Sequence, residues 1–387
     1  MKGGCRMRIA MLHWAFPPVV GGVETHLEEL GASLARRGHA VHALVGGDAD
    51  EDPLQHRGVD VQRSTLFRPD PSVPAAQLRD ALHRFLDRAR PDLLHAHNMH
   101  YFSERHADAL RAVKQERGIP VVLTAHNVWR DRLGLAFLQY ADLWDAVVAV
   151  SHYLGNALVD LGYPRARVQV VHHGIDPERW TSAPPEPDAP LRIFHPARLS
   201  LDKGSLLVVR ALHRVRRVLP EAKLLLAGTG TIVDFESRQA KEVAAVREEI
   251  ARLGLEDAVE LRAIPWEEIP GVFASSRVVV YPSRFDEPFG IAALEGMASS
   301  RPVVVSAVGG MPEFVRDGVD GFVVRPDDDE QLAERIALLL GNPVLARRLG
   351  AAARQRAVRR FHMRQMVESV LTLYQSMLQR AAVPARF

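Results

Sequence analysis

The amino-acid sequence predicts an α/β protein made of two doubly wound parallel sheets. Three observations carry this prediction. Short apolar runs alternate with longer segments of helical period, which implies parallel strands with helices on both faces. The alternation breaks at Thr181–Pro190 and then begins again. The length, 387 residues, suits two ordinary domains.

In chain order, Arg8–His13 (RIAMLH) reads as a buried strand. Gly21-Gly22 forms a turn, and a helix follows with Leu27, Leu30 and Leu34 on one face. Arg37-Gly38-His39 ends that helix, and Ala40–Val45 is the next strand. Asp92–His95, Val121–Thr124 and Ala146–Val150 predict further strands, each followed by helical pattern. Thr181–Pro190 (TSAPPEPDAP) is Pro-rich, acidic and aperiodic, which marks a linker. The second half opens with a strand at Leu191–His195 and a helix from Gly204. Lys223–Ala227 is a strand, a helix runs to Leu253, and Ala258–Leu261 and Arg277–Tyr281 are strands. A helix begins at Gly290, Pro302–Val305 is a strand, and helices run to the end. The expected segments are 1–180, a linker 181–190, 191–362, and a final helix within 363–387. Ligands of doubly wound sheets bind beyond the carboxyl ends of the strands, so two facing halves would place the site in the cleft between them.

Composition narrows the class. A hydrophobic fraction of 47% and a charged fraction of 25% exclude disorder as the main state. A net charge of +2 argues against nucleic acid as principal partner. Cys5 is the one cysteine, which excludes an intrachain disulfide and a multi-cysteine zinc site, and fits a reducing, cytoplasmic compartment. The apolar run Ile9–Leu12 is too short for a signal peptide, and no stretch approaches the roughly 18 apolar residues of a membrane span. Only five of the 49 basic residues are lysines, so each lysine's position carries weight.

Three segments carry chemistry. Pro17-Pro18-Val19-Val20-Gly21-Gly22-Val23-Glu24 follows the first strand and opens a helix, where glycines admit a ligand and the helix N-terminus favours an anion. The plainer alternative is a tight strand-to-helix turn. Arg198-Leu199-Ser200-Leu201-Asp202-Lys203-Gly204 follows the first strand of the second half. Its Arg and Lys can converge on one diphosphate, the alternative being a solvated basic loop. Glu287-Pro288-Phe289-Gly290-Ile291-Ala292-Ala293-Leu294-Glu295 starts a helix near Gly290. Glu295 falls among apolar neighbours, where an unpaired carboxylate is costly and sugar hydroxyls would serve as donors. Capping, or pairing with an arginine, is the alternative for Glu295.

With these residues in place, the chain resembles the retaining nucleotide-sugar glycosyltransferases of family 4 over nearly its whole length. Glu287 and Glu295, separated by seven residues, are similar to that family's E-x7-E motif, with Phe289-Gly290 inside it. Gly21-Gly22-Val23-Glu24 matches its N-terminal glycine loop, and Arg198 with Lys203-Gly204 its diphosphate-binding pair. Gly309-Gly310-Met311-Pro312-Glu313 and Asp317-Gly318 to Gly321 match the segment after the motif helix.

The resemblance implies the GT-B fold, two facing Rossmann-like domains with the acceptor on the first and the donor on the second. It implies that the last helix, with Met366, Val370, Leu373 and Met377 at helical spacing, packs back on the first domain. It implies that Arg198 and Lys203 hold the donor diphosphate, that Glu287 binds sugar hydroxyls and that Glu295 binds the ribose. The backbone of Phe289, Gly290 and Ile291 would contact sugar and phosphates, Gly21 and Gly22 would approach the diphosphate, and His126 would lie near the donor sugar. The implied reaction moves a sugar, with retention, from a UDP- or GDP-sugar to a hydroxyl of a lipid, polysaccharide or small metabolite. No cofactor or metal is expected. The rivals are a nucleotide-sugar 2-epimerase on the same scaffold, a non-catalytic nucleotide-sugar-binding protein and a nicotinamide oxidoreductase. Two departures stand out: His173 replaces a usual Asn, and Ser300 a common Gly.

Other signals are discounted. Asp48-Ala49-Asp50 has D-x-D spacing but lies in an acidic loop, and Asp327-Asp328-Asp329 is expected to cap the next helix. His95, His97, His100 and His106 resemble a ligand cluster, but only His95 and His97 share a strand face. Ala227-Gly228-Thr229-Gly230-Thr231 lacks the third glycine of a dinucleotide loop and is read as a turn near the donor base. The run Arg354, Arg356, Arg359, Arg360 and Arg364 could touch anionic lipid, giving peripheral membrane contact, but a solvated helix face is favoured.

Overall fold

The computed structural model describes residues 6–19, 21–68, 72–180, 183–186, 188–228 and 236–382. The chain forms two compact units, Met1–His173 with Met363–Phe387, and Gly174–His362.

Unit 1 contains β1 (Arg8–His13), β2 (Ala40–Gly46), β3 (Leu54–His56), β4 (Val59–Ser64), β5 (Leu93–His97), β6 (Val121–Ala125), β7 (Ala146–Ala149) and β8 (Val168–Val170). Their order is β3-β4-β2-β1-β5-β6-β7-β8. Every pairing is parallel except β3 with β4. Ile9 pairs with Val41 on one side and Leu93 on the other, so β1 is central. Runs such as VVLTA in β6 and AVVA in β7 are buried at every position, as a sheet covered on both faces requires. The final helix, Met363–Ala382, belongs to this unit. Its Met366, Val370, Leu373, Tyr374 and Met377 share one buried cluster with Met11, Leu30, Leu34 and Val148. The Tyr374 hydroxyl lies 2.5 Å from His95 Nδ1 within that core.

Unit 2 contains β9 (Arg192–His195), β10 (Lys223–Gly228), β11 (Val259–Ala263), β12 (Val278–Tyr281), β13 (Val303–Ser306) and β14 (Phe322–Val324). The order is β11-β10-β9-β12-β13-β14, all parallel. The direction of winding reverses between β9 and β12, which makes the space beyond their carboxyl ends the switch point where such sheets bind ligands. Helix caps follow local chemistry. The Asp328 carboxylate accepts from Gln331 N (2.8 Å), and Asn342 Oδ1 accepts from Leu345 N (3.0 Å) with Pro343 at the first turn. Of the Asp327–Asp329 triplet, Asp328 is therefore the cap.

The Pro-rich segment expected as a linker is held to unit 2. The Arg301 guanidinium donates to the Ala183 carbonyl (2.5 Å), and that of Arg277 to the carbonyls of Glu186 (3.2 Å) and Ala189. Thr181, Ser182 and Pro187 of that segment, and Thr229–Thr231 of the glycine loop, lie outside the described residues. The arginine run is not a uniformly solvated face. Arg354 donates to the carbonyls of Trp180 (2.6 Å), Pro177 (3.3 Å) and Ala298, and Arg356 to those of Phe314 (2.7 Å) and Glu313 (2.9 Å). Among the described residues no single helix is long and apolar enough to cross a membrane.

Candidate active site

In unit 2 the loops after β9 and β12 meet. His195 ends β9, with Nδ1 on the Val280 carbonyl (3.0 Å) and Nε2 by Ser205 Oγ (3.3 Å). Ser205 Oγ also accepts from Ser200 N (3.2 Å), which closes the loop between them. Gly204 then turns with φ 80°, and a Cβ there would stand 2.0 Å from the Pro282 carbonyl oxygen. Only glycine lets the two loops approach so closely.

That approach brings Lys203 onto Glu287. Nζ lies 2.5 Å from Glu287 Oε2, over the rings of Phe285 (4.5 Å) and Tyr281 (5.5 Å). The Tyr281 hydroxyl donates to the same carboxylate oxygen at 3.4 Å. Both charged side chains are largely shielded, at 14% and 11% exposure. Burial works to lower the Lys203 ammonium, but Glu287 and Tyr281 outweigh it and hold the group above its ordinary value. Tyr281 is pushed up to about 12 by burial and by Glu287. Glu287 is itself fixed from behind, since its carbonyl accepts from Gly310 N at 2.8 Å. A Cβ on Gly309 would stand 2.0 Å from that carbonyl oxygen. This gives the Gly309-Gly310 pair a physical purpose.

Phe289 is buried against Phe314 (5.1 Å) and Phe361 (6.0 Å), so its side chain is core while its backbone leads into Gly290. Gly290, at φ 95°, caps the helix Ile291–Ala298, whose first N–H groups have no partner within the helix. Glu295 sits on its second turn, 8% exposed. Its carboxyl makes no side-chain hydrogen bond or close ion pair with the described residues, and Arg179 acts on it electrostatically. Burial pushes its carboxyl up to about 8, against the pull of Arg179. Arg179 lies 3.9 Å over the Trp266 ring and donates to its carbonyl at 3.1 Å. The guanidinium of Arg198 is exposed and makes no hydrogen bond or ion pair with the described residues.

In unit 1 the strand ends gather histidines. Gly21 precedes the helix Gly22–Arg36, and the Glu24 carboxylate folds back over it to meet His13 Nε2 at 3.2 Å. His97 Nδ1 lies 3.3 Å from His126 Nε2, and His26 Nδ1 lies 3.0 Å from His173 Nδ1. The His126 ring is 4.8 Å from His26 and stacks on His173 at 5.3 Å. Burial lowers His26 to about 3 and holds His97, His126 and His173 well below the usual imidazole value. Asn98 Oδ1 accepts from His126 N at 2.8 Å and fixes the strand exit.

The four histidines singled out from the sequence do not converge. His95 is satisfied by Tyr374 and Thr124, His100 Nε2 by the Asn127 carbonyl (3.0 Å) and His106 Nε2 by the Leu66 carbonyl (2.9 Å). The D-x-D aspartates are also engaged locally, Asp50 with Thr65 N (2.8 Å) and Asp48 with Arg68. Sequence reasoning missed Tyr281, Phe285, Arg179 and Trp266. The one local signal was Tyr281, a polar tip ending an otherwise aliphatic strand.

The fold and this cluster define a Rossmann-type unit with a cation–carboxylate pair and a helix N-terminus at its switch point. The family Glycosyl transferases group 1 matches residues 176–356 and the family Glycosyltransferase Family 4 matches residues 20–179. The chain is 30% identical to alpha-maltose-1-phosphate synthase of Mycobacterium tuberculosis, over 95% of this chain and 99% of that one. It is 28% identical to the GDP-mannose-dependent alpha-(1-6)-phosphatidylinositol monomannoside mannosyltransferase of Mycolicibacterium smegmatis, over 89% and 92%. Anabaena HepE, solved with UDP and glucose, shares the fold with TM-score 0.76 at 22% identity, over 96% and 100%. The chain belongs to the family 4 glycosyltransferases of the GT-B fold. It is a nucleotide-sugar glycosyltransferase, which disfavours the epimerase reading.

Proposed function

We propose that the protein is a retaining hexosyltransferase that moves a sugar from a UDP- or GDP-sugar to an acceptor hydroxyl. The observation that carries this reading is the shielded Lys203–Glu287 pair where β9 and β12 diverge. Lys203 keeps ammonium N–H groups beyond the one given to Glu287, and these with Arg198 neutralise the donor diphosphate. Glu287 accepts from sugar hydroxyls while holding Lys203 in place. Glu295, a buried carboxyl with no side-chain hydrogen bond among the described residues, accepts from the ribose hydroxyls. The N–H groups around Gly290 and Ile291 face the phosphates and sugar.

In the reaction the bond from the anomeric carbon to the diphosphate oxygen breaks and a bond to the acceptor oxygen forms on the same face. The departing phosphate oxygen takes the acceptor's proton, so no protein nucleophile is required. Lys203 and Arg198 stabilise the charge that grows on the leaving group. The names of the relatives support both donor bases: one acts on GDP-mannose, and one structural neighbour is solved with UDP. In unit 1, Gly21, Gly22 and His126 are assigned the donor contacts that the family resemblance implies, and the transfer is assigned no metal or cofactor.

The test is nucleotide release from UDP-glucose and GDP-mannose with a glycan or lipid acceptor, and the product's anomeric configuration read by proton NMR. Retention is expected. An inverted product, or a free sugar nucleotide altered at C2 without acceptor, overturns the reading.

A further inference from the structure

Phe285 is the exposed ring of the Lys203–Glu287 cluster. Its loop is fixed before and after the ring. The Ser283 hydroxyl lies 3.2 Å from the Phe285 carbonyl oxygen and 3.3 Å from that of Asp202, and bridges them. Arg284 N donates to the Asp202 carbonyl at 2.8 Å, and the Arg284 guanidinium pairs with Asp327. Beyond the ring, Glu287 is held through its carbonyl by Gly310 N and through its carboxylate by Lys203. The ring between these anchors stands with its centre 4.5 Å from Lys203 Nζ. It keeps 38% of its surface exposed, although Tyr281 and Phe289 of the same segment are buried.

A single exposed ring is ordinary on a protein surface. The place of this one sets it apart, because it touches a charged pair that is itself largely shielded. A ligand that reaches Lys203 and Glu287 there meets two demands. It must bond an ammonium and a carboxylate, and it must cover a phenyl ring. A diphosphate offers no C–H surface and meets only the first. A hexopyranose joined to a diphosphate meets both. Its hydroxyls lie around the edge of the ring, and its axial C–H bonds, with their partial positive charge, form the two faces. The face of a phenyl ring is negative, so the two surfaces attract as well as exclude water.

We propose that Phe285 is a specificity-determining residue that packs against a C–H face of the transferred sugar while Glu287 accepts from that sugar's hydroxyls. The inference rests on the donor reading given above and deepens it, since it separates recognition of the hexose from recognition of the diphosphate. The competing role for Phe285 is to steady Lys203 through the ring–ammonium contact. The two roles differ in what they act on. Steadying Lys203 affects every diphosphate, whereas covering a sugar affects the sugar nucleotide alone.

Calorimetry on the full chain measures Kd for UDP, UDP-glucose, GDP and GDP-mannose with wild type, Phe285→Leu and Phe285→Tyr. Wild type is expected to bind one of the two pairs. Phe285→Leu raises Kd for the sugar nucleotide, relative to its own diphosphate, by at least about fivefold. Phe285→Tyr keeps the ring and restores the wild-type ratio. The diphosphate is each variant's internal control, because a folding defect weakens both ligands and leaves their ratio alone. An unchanged ratio, including a loss shared equally by the two ligands, overturns this inference and leaves the donor reading standing. Wild type that binds neither pair overturns the donor reading, and this inference with it.

Discussion

Lys203 and Glu295 represent two outcomes for an ionisable group in a shielded site. Lys203 is matched by Glu287 at 2.5 Å and keeps its proton. Its removal leaves Glu287 shielded and uncompensated, and takes away the charge that offsets the leaving diphosphate. Lys203→Ala is expected to lower kcat by about 10²–10³-fold. Steady-state kinetics with the preferred donor checks this, and near-normal turnover removes Lys203 from the chemistry. Glu295 has no hydrogen-bonded match of that kind, and burial pushes its carboxyl up to about 8 against the pull of Arg179. The folded state therefore binds this proton more tightly than the unfolded chain. The resulting stabilisation is complete below pH 4.5 and is lost as pH rises through about 8. Glu295→Gln removes the dependence, so urea midpoints at pH 5 and pH 9 should differ less in the variant than in wild type. An unchanged difference contradicts the assignment.

At the scale of elements, the helix Ile291–Ala298 is short and its ends determine its placement. Gly290 opens it, and Ser300 closes the turn beyond it at φ 58°, in the left-handed region that glycine occupies without penalty. Ser300→Gly is expected to stabilise the protein by about 0.5–1 kcal/mol, read as a raised urea midpoint at unchanged slope. Gly204→Ala should do the opposite, costing at least about 2 kcal/mol and displacing Lys203, because the new Cβ meets the Pro282 carbonyl. A full-activity Gly204→Ala enzyme of native stability would refute the loop contact. Elements differed in how legible they were. β6 and β12 stood out because burial on both faces demands unbroken apolar runs. β3 and β8 are three residues each, lie at the sheet's two edges and keep exposed positions, so they carry no such signature. Arg198, Lys203, Glu287 and Glu295 stood out as candidates because each motif lies within a single strand-to-helix segment. The pairing of Lys203 with Glu287 across 84 residues depends on β9 and β12 being neighbours, and that of His26 with His173 across 147 residues on the topology of unit 1. No local pattern encodes either.

At the scale of the whole molecule, the chain leaves unit 1 at His173 and returns to it at Met363. The returning helix completes the first core instead of extending the second. Tyr374 anchors it through His95, deep among apolar residues. Tyr374→Phe leaves a buried imidazole nitrogen unmatched and should cost about 1–3 kcal/mol, with a lowered Tm as the readout. An unchanged Tm would mean that the contact is not a stabilising one. The central claim is that unit 2 binds a nucleoside diphosphate through Lys203. The most direct test is a thermal-shift series with UDP, GDP, ADP and NAD on wild type and Lys203→Ala. A rise of several degrees with one diphosphate, largely lost in the variant, is the predicted result. No shift with any diphosphate, a shift with NAD alone, or an equal shift in the variant would contradict it.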